Sequence, residues 1–199
     1  MLKSGIIDSH THAFPDEIAV KAISALEAGC GEKAYLDGTI SDLLRSMDNA
    51  GIEKSIVANI ATKPTQFEPI LKWSQTITSD RIIPFLSVHP ADPERLTKID
   101  RIKQTGFKGI KLHPYYQDFY LDEPVVYEMF ARIEQNDLTC LVHTGFDIAF
   151  ERVRRCDPAR IAKVVKEFPK LKFVSTHFGA WQDWEEVRKY LIGKPVYME

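Results

Sequence analysis

Residues 6–12 read Ile-Ile-Asp-Ser-His-Thr-His. Side chains alternate faces along a strand, so Asp8, His10 and His12 share one face. The Cα atoms of His10 and His12 then sit about 7 Å apart, close enough for both imidazoles to converge on one ion. A strand that delivers two histidines after an apolar lead-in is a candidate metal site. A surface strand with two unrelated histidines is the bland alternative. Because a catalytic zinc usually takes three protein ligands and a water, at least one more ligand must come from elsewhere.

The other four histidines are His89, His113, His143 and His177, and each closes a short apolar run. In Gly109-Ile110-Lys111-Leu112-His113, Ile110 and Leu112 point one way and are expected to pack under helices. Lys111 and His113 point the other way. Leu141-Val142-His143 and Ser175-Thr176-His177 place their histidines on the same side. All six histidines therefore fall at the C-terminal ends of predicted strands, the face that carries active sites in (β/α) barrels. Any one of them alone also reads as a satisfied core or rim imidazole, His89 and His113 above all.

The elements that must position these residues alternate regularly. Strands are expected at 6–12, 55–60, 81–89, 108–113, 138–143, 171–177 and 195–198. Helices are expected around 17–28, from Thr39 to Gly51, from Thr65 to Ser79, from Asp92 to Gly106, from Asp122 to Asn136, from Asp157 to Glu167 and around 183–192. Asp92-Pro93 and Asp157-Pro158 each read as an N-cap followed by proline at the first helical position. Thr39 to Asp42 and Thr65 to Glu68 have capping-box-like spacing. Strands and helices alternating at about 25–30 residues indicate parallel βα units. A TIM (β/α)8-type barrel fits best, incomplete at seven strands with the eighth missing. A doubly wound open sheet is the runner-up, but no glycine-rich phosphate turn follows any strand.

Composition narrows the function classes. The chain has 199 residues and is 44% hydrophobic and 27% charged. That suits one soluble domain spanning residues 1–199. With a formal net charge of -2 and no basic stripe, nothing argues for nucleic acid. The longest apolar run, Ile82 to Val88, is too short to span a bilayer. Cys30, Cys140 and Cys156 are scattered and form no CxxC pair, which favours free thiols in a reducing compartment. A functional-looking strand that begins by Asp8 leaves no room for a signal peptide, so a cytoplasmic protein is the expectation.

The ordered set IDSHTHAFPD, MDNAGIEKSIV, GFKGIKLHP, LVHTG and STHFGA resembles the amidohydrolase superfamily. The nearest branch is the one of metal-dependent hydrolases and decarboxylases related to aminocarboxymuconate-semialdehyde decarboxylase. The resemblance covers essentially the whole chain. It implies metal ligands at His10, His12 and His143, with His177 orienting or deprotonating the metal-bound water. It also implies a final aspartate in a Gly-Thr-Asp-like motif after an eighth strand. The sequence carries no such motif and stops at Val196-Tyr197-Met198-Glu199, so a C-terminal truncation is expected.

Three neutral imidazoles suit one divalent metal per chain, zinc first, with iron, manganese or nickel as alternatives. Such an ion brings its bound water towards a neutral pKa and polarises a substrate oxygen. Asp8 is a candidate to accept from an imidazole N–H behind the ligands, or else a floor carboxylate. Lys111 and His113 are candidates for binding substrate. A carboxylated Lys111 bridging two metals is the less favoured reading. Tyr115, Tyr116, Phe119 and Tyr120, with Arg152, Arg154 and Arg155, line the substrate mouth or, more commonly for such residues, the surface.

The expected function is hydrolysis of a C–N or C–O bond in a small molecule by a metal-activated water. Non-oxidative decarboxylation of an unsaturated or aromatic acid in the same site is an alternative. A non-catalytic metal- or ligand-binding barrel is another, because the final aspartate is absent. The open barrel edge is expected to be covered by a partner, as in a homo-oligomer.

Overall fold

The computed structural model describes residues 5–199. Among them are seven strands and seven α-helices, two helices after the first strand and one after each of the next five. The first half runs β1 (Ile7–Thr11), α1 (Asp16–Cys30), α2 (Ile40–Ala50), β2 (Lys54–Ala58), α3 (Phe67–Ile77), β3 (Ile82–Phe85) and α4 (Arg95–Gln104). It continues with β4 (Gly109–Leu112), α5 (Pro124–Gln135), β5 (Thr139–Val142), α6 (Pro158–Glu167), β6 (Lys172–Ser175), α7 (Trp184–Tyr190) and β7 (Tyr197–Met198). Every strand pair is parallel. The strands form two sheets, β1-β2-β3 and β4-β5-β6-β7. One bridge, Leu86 to Ile110, joins them. In it the Lys111 N–H donates to the Leu86 carbonyl at 2.7 Å. The strands thus follow one another in chain order, as in a TIM barrel, with β1 and β7 at the two open edges.

Two layers of packing hold this together. Ile110, Leu112, Cys140, Val142 and Phe173 face outward into the main core, against Ile99 and Ile102 of α4, Met129, Phe130 and Ile133 of α5, and Ile161 and Val164 of α6. The alternate residues face the barrel axis. There Ala58, Phe85 and Leu141 form an inner plug with Ile56, Ile83 and Val174. Gly109 must lack a side chain, because a Cβ there would lie 2.4 Å from the Phe85 ring. Phe85 thereby fills the space beneath Lys111, and the residues above it can be polar.

Several expected element ends move. The third strand stops at Phe85, so His89 lies in the loop that follows. α4 begins at Arg95 rather than at Pro93: Asp92 Oδ1 accepts from the Glu94 N–H at 2.9 Å and holds a turn ahead of the helix. Asp122 does not cap α5, because its carboxylate is committed to Arg160 and Lys163. Before α3 the cap is also shifted. Gln66 Oε1 accepts from the Lys63 N–H at 2.9 Å, and a 3-10 turn over Pro64–Gln66 precedes the helix. By contrast, Thr39 caps α2 by accepting from the Asp42 N–H, and Asp157 caps α6 by accepting from Ala159 and Arg160.

Candidate metal centre and active site

The site is a row of imidazoles along the C-terminal ends of the strands. His10 lies near the end of β1 and His12 just beyond it. Pairing of β1 with β2 slips register between Asp8 and Thr11, so alternation is not strict there. Both rings nevertheless arrive together, with Nε2 to Nε2 at 3.2 Å. His12 Nδ1 lies 2.8 Å from the carbonyl oxygen of Ala58. A carbonyl can only accept, so His12 carries its proton on Nδ1 and presents a lone pair at Nε2. Lys111, fully buried, puts Nζ 3.0 Å from His10 Nε2. On the far side of the His10 ring, Nδ1 lies 2.9 Å from Oε2 of Glu199.

The row continues through His177, whose ring centre is 5.6 Å from that of His10 and 4.9 Å from that of His143. His177 Nε2 lies 3.3 Å from His143 Nδ1. The His143 ring stacks on His113 at 4.1 Å between centres. Asp147 closes the row, its Oδ2 3.4 Å from His113 Nε2 and 3.8 Å from His143 Nε2.

Two backbone features place these groups. His177 sits in a 3-10 turn, His177–Gly179, with φ of 55° at His177 and 52° at Phe178. Non-glycine residues held in the left-handed region cost free energy that the surroundings must supply, and they gather at functional sites. Gly145 follows His143 closely, at φ 81°, and a Cβ on it would lie 2.3 Å from the Trp181 backbone nitrogen. The loop after β5 therefore packs directly on the turn after β6, which brings His143 and His177 together.

Electrostatics keep the imidazoles neutral. Burial first, then the Lys111 charge, hold His10 far below the usual histidine range. Burial of the ring first, then Lys111, lowers His12 to about 3, against the pull of its hydrogen bond to Ala58, although the residue's outer edge opens to solvent. Burial, with His113 and Lys111 nearby, depresses His143. Burial followed by Lys111 does the same for His177. Burial lowers Lys111 itself to about 7, against the opposing pull of Glu199.

Neutral imidazole nitrogens fit a divalent metal, which would take the place of Lys111 Nζ at the His10 Nε2 lone pair. Two ligands of a tetrahedral ion, each about 2.0–2.1 Å from it, stand about 3.3 Å apart. The His10–His12 spacing of 3.2 Å matches that span. His143 Nε2 is buried without a hydrogen-bond partner, which leaves a nitrogen whose lone pair or proton is unsatisfied.

Among the described residues, the trio whose ligand atoms lie within 4.8 Å of one another is His113, His143 and Asp147. His10, His12 and His143 are not drawn to so small a span, and His177 stands between them. Asp147 had no sequence signal beyond its place four residues after His143. Glu199 had none at all, following directly on the short strand β7. Asp8 Oδ1 accepts from the His10 backbone N–H at 3.2 Å, while the acceptor beside the His10 ring is Glu199. His89 stands apart, its Nδ1 accepting from the Ala91 N–H at 3.1 Å. Of the loop residues, Tyr115 and Phe119 are buried in the main core. Arg154 and Arg155 are tied into ion pairs with Asp183, Glu186 and Asp118. Two of these residues reach the site: Tyr116 packs edge-on against His113 at 4.7 Å between ring centres, and Arg152 lines a cleft of about 230 Å³ with Asp147, Phe150 and Trp181.

A family model described as amidohydrolase matches residues 7–199, nearly the whole chain. The chain belongs to the amidohydrolase family. Solved structures with the same fold include an uncharacterised TIM-barrel protein from Bordetella bronchiseptica, 18% identical, with a TM-score of 0.78 over 97% of this chain and 74% of that one. A probable 2-pyrone-4,6-dicarboxylic acid hydrolase from Acinetobacter baumannii is 15% identical, with a TM-score of 0.62 over 97% of this chain and 68% of that one. The 5-carboxyvanillate decarboxylase of Novosphingobium aromaticivorans, with bound manganese, is 19% identical, with a TM-score of 0.62 over 89% and 67%. No curated protein sequence matches this amidohydrolase. No helix among its described residues is long and apolar enough to cross a membrane.

Proposed function

We propose that this amidohydrolase is a metal-dependent hydrolase acting on a C–N or C–O bond of a small molecule. The observation that carries the reading is the opposed pair of His10 and His12 nitrogens, 3.2 Å apart beside a row of neutral imidazoles. His10, His12 and His143 would hold the ion, with Asp147 the carboxylate nearest to His143. Zinc, or the manganese bound by the decarboxylase of the same fold, would supply Lewis acidity that makes water a better nucleophile and polarises a substrate oxygen.

The chain's own residues do the rest. His177, pushed below the usual histidine range by burial and so neutral at pH 7, would accept a proton at an imidazole nitrogen. His143, 3.3 Å away, fixes the orientation of that ring. Lys111 at the floor of the site offers N–H donors to an anionic or carbonyl oxygen. Beside His177, Phe178, Trp181 and Trp184 give an apolar wall to an open cleft of about 290 Å³, which suits a small, flat substrate.

Decarboxylation of an unsaturated or aromatic acid is the second reading, favoured by the decarboxylases that share the fold. It needs a proton delivered to carbon, and imidazoles held neutral seldom carry the extra proton that step consumes. A panel of lactones, amides and aromatic acids decides between the two. Hydrolytic product without carbon dioxide supports hydrolysis, and carbon dioxide release overturns it.

A further inference from the structure

Glu199 is bound into the sheet before its side chain does anything. Its backbone N–H donates to the Ser175 carbonyl at 3.0 Å. Its carbonyl accepts from the Phe178 N–H at 2.8 Å, inside the turn that carries His177. The end of β7 is thus pinned both to β6 and to the His177 turn. From there the side chain reaches across the open seam between the last and first strands, and Oε2 comes within 2.9 Å of His10 Nδ1. The His10 side chain is 9% exposed and that of Glu199 27%, so water competes little for the imidazole.

The other face of the same ring is committed too. His10 Nε2 meets Lys111 Nζ at 3.0 Å and His12 Nε2 at 3.2 Å. A protonated Nε2 could donate to the His12 lone pair, but it would deny the Lys111 amine its acceptor and leave the Glu199 carboxylate facing a bare Nδ1 lone pair. A carboxylate opposite Nδ1, which can only accept, selects the alternative: proton on Nδ1, lone pair on Nε2. His12 reaches the same state through the Ala58 carbonyl. The two rings are therefore set alike by two different acceptors, one from the backbone and one from the far edge of the sheet.

We propose that Glu199 is a positioning residue that holds His10 in its Nδ1–H tautomer across the β1–β7 seam and so presents Nε2 to the metal. This rests on the metal-site reading above. Carboxylates that accept from a ligating imidazole raise its basicity and lock its orientation, and their loss typically costs about 10–100-fold in metal affinity. Glu199 also links two parts of the site, since one residue touches the His10 ring and the backbone beneath His177.

The test uses the full chain, with zinc alone as the probe, in the parent protein, Glu199→Ala and Glu199→Gln. Nitrogen-15 NMR of the metal-free protein reads the His10 tautomer, with His10→Ala identifying its signals. Competition against a chromophoric chelator reads zinc affinity. The expected result is Nδ1–H in the parent and in Glu199→Gln, whose amide oxygen still accepts. Glu199→Ala should lose that preference and bind zinc about 10–100-fold more weakly. The isosteric glutamine keeps the strand end intact if the alanine variant folds poorly, and it should recover most of the affinity. A parent His10 protonated at Nε2, or a folded Glu199→Ala chain with the parent affinity, overturns the proposal. A parent chain that binds no zinc contradicts the metal reading itself, and the tautomer of metal-free His10 then still decides the role of Glu199.

Discussion

At the scale of single residues, the site combines nitrogens that must be neutral with one amine that is nearly so. Lys111 has its amine lowered to about 7 by burial. Below pH 7 the lysine is charged in both folded and unfolded chains, so the cost of burying the charge is present in full. Between pH 7 and the unfolded value near 10.4 the unfolded chain binds more protons, so stability rises with pH. Each unit of displacement is worth about 1.4 kcal/mol. In the metal-free protein, urea melts should show stability climbing from pH 7 to pH 10, and Lys111→Met should flatten that climb. A parent profile as flat as the variant's would mean that the amine keeps its charge through solvent or a counter-ion. His177 gives a second prediction. His177→Asn suits the left-handed backbone at φ 55° and should fold and hold metal, yet lose about 10²–10⁴-fold in turnover. Parent-level turnover in that variant would remove His177 from proton transfer.

At the scale of elements, what was legible depended on whether a signal was local. Thr39 and Asp157 cap α2 and α6 as their spacing suggests, because a cap needs only its own next few amides. Asp157→Ala should therefore cost about 0.5–2 kcal/mol in thermal or chemical melts, and no loss would show that the backbone amides find other partners. Asp122 looked equally suited to cap α5, but Arg160 and Lys163 on the next βα unit claim its carboxylate. Ile110 and Leu112 against Lys111 and His113 were readable from alternation alone, since a strand has only two faces. Asp147 and Glu199 were not readable, because their roles come from the approach of segments far apart in sequence. Gly145 shows how tight that approach is. Gly145→Ala should separate the loops that carry His143 and Trp181, seen as a lower melting temperature and weaker metal retention together. A variant that melts and holds metal like the parent would show that the loops give way.

At the scale of the whole molecule, seven parallel strands curve until His10 on the first lies beside Glu199 after the last. Among the described residues, β1 and β7 each pair on one side only. On or next to them Ile6, Ile7 and Tyr197 are more than half exposed. Unpaired strand edges with apolar side chains favour association, so light scattering should give a mass above 22.7 kDa that rises with concentration. Ile7→Lys should lower it, and a parent chain that stays monomeric at high concentration would contradict this. The order of strands and the row of histidines were both implicit in the spacing of short apolar runs. How the row divides was not, because stacking of His113 on His143 depends on ring orientations that no spacing encodes.

That division makes metal content of the histidine variants the most direct measurement. The parent chain, purified with zinc present, should hold one divalent ion. His10→Ala and His12→Ala should each lose most of it, and His143→Ala likewise, while His177→Ala keeps it. Full metal content in His10→Ala and His12→Ala, with loss only in His113→Ala, His143→Ala or Asp147→Ala, would contradict the account and place the ion at the other end of the row.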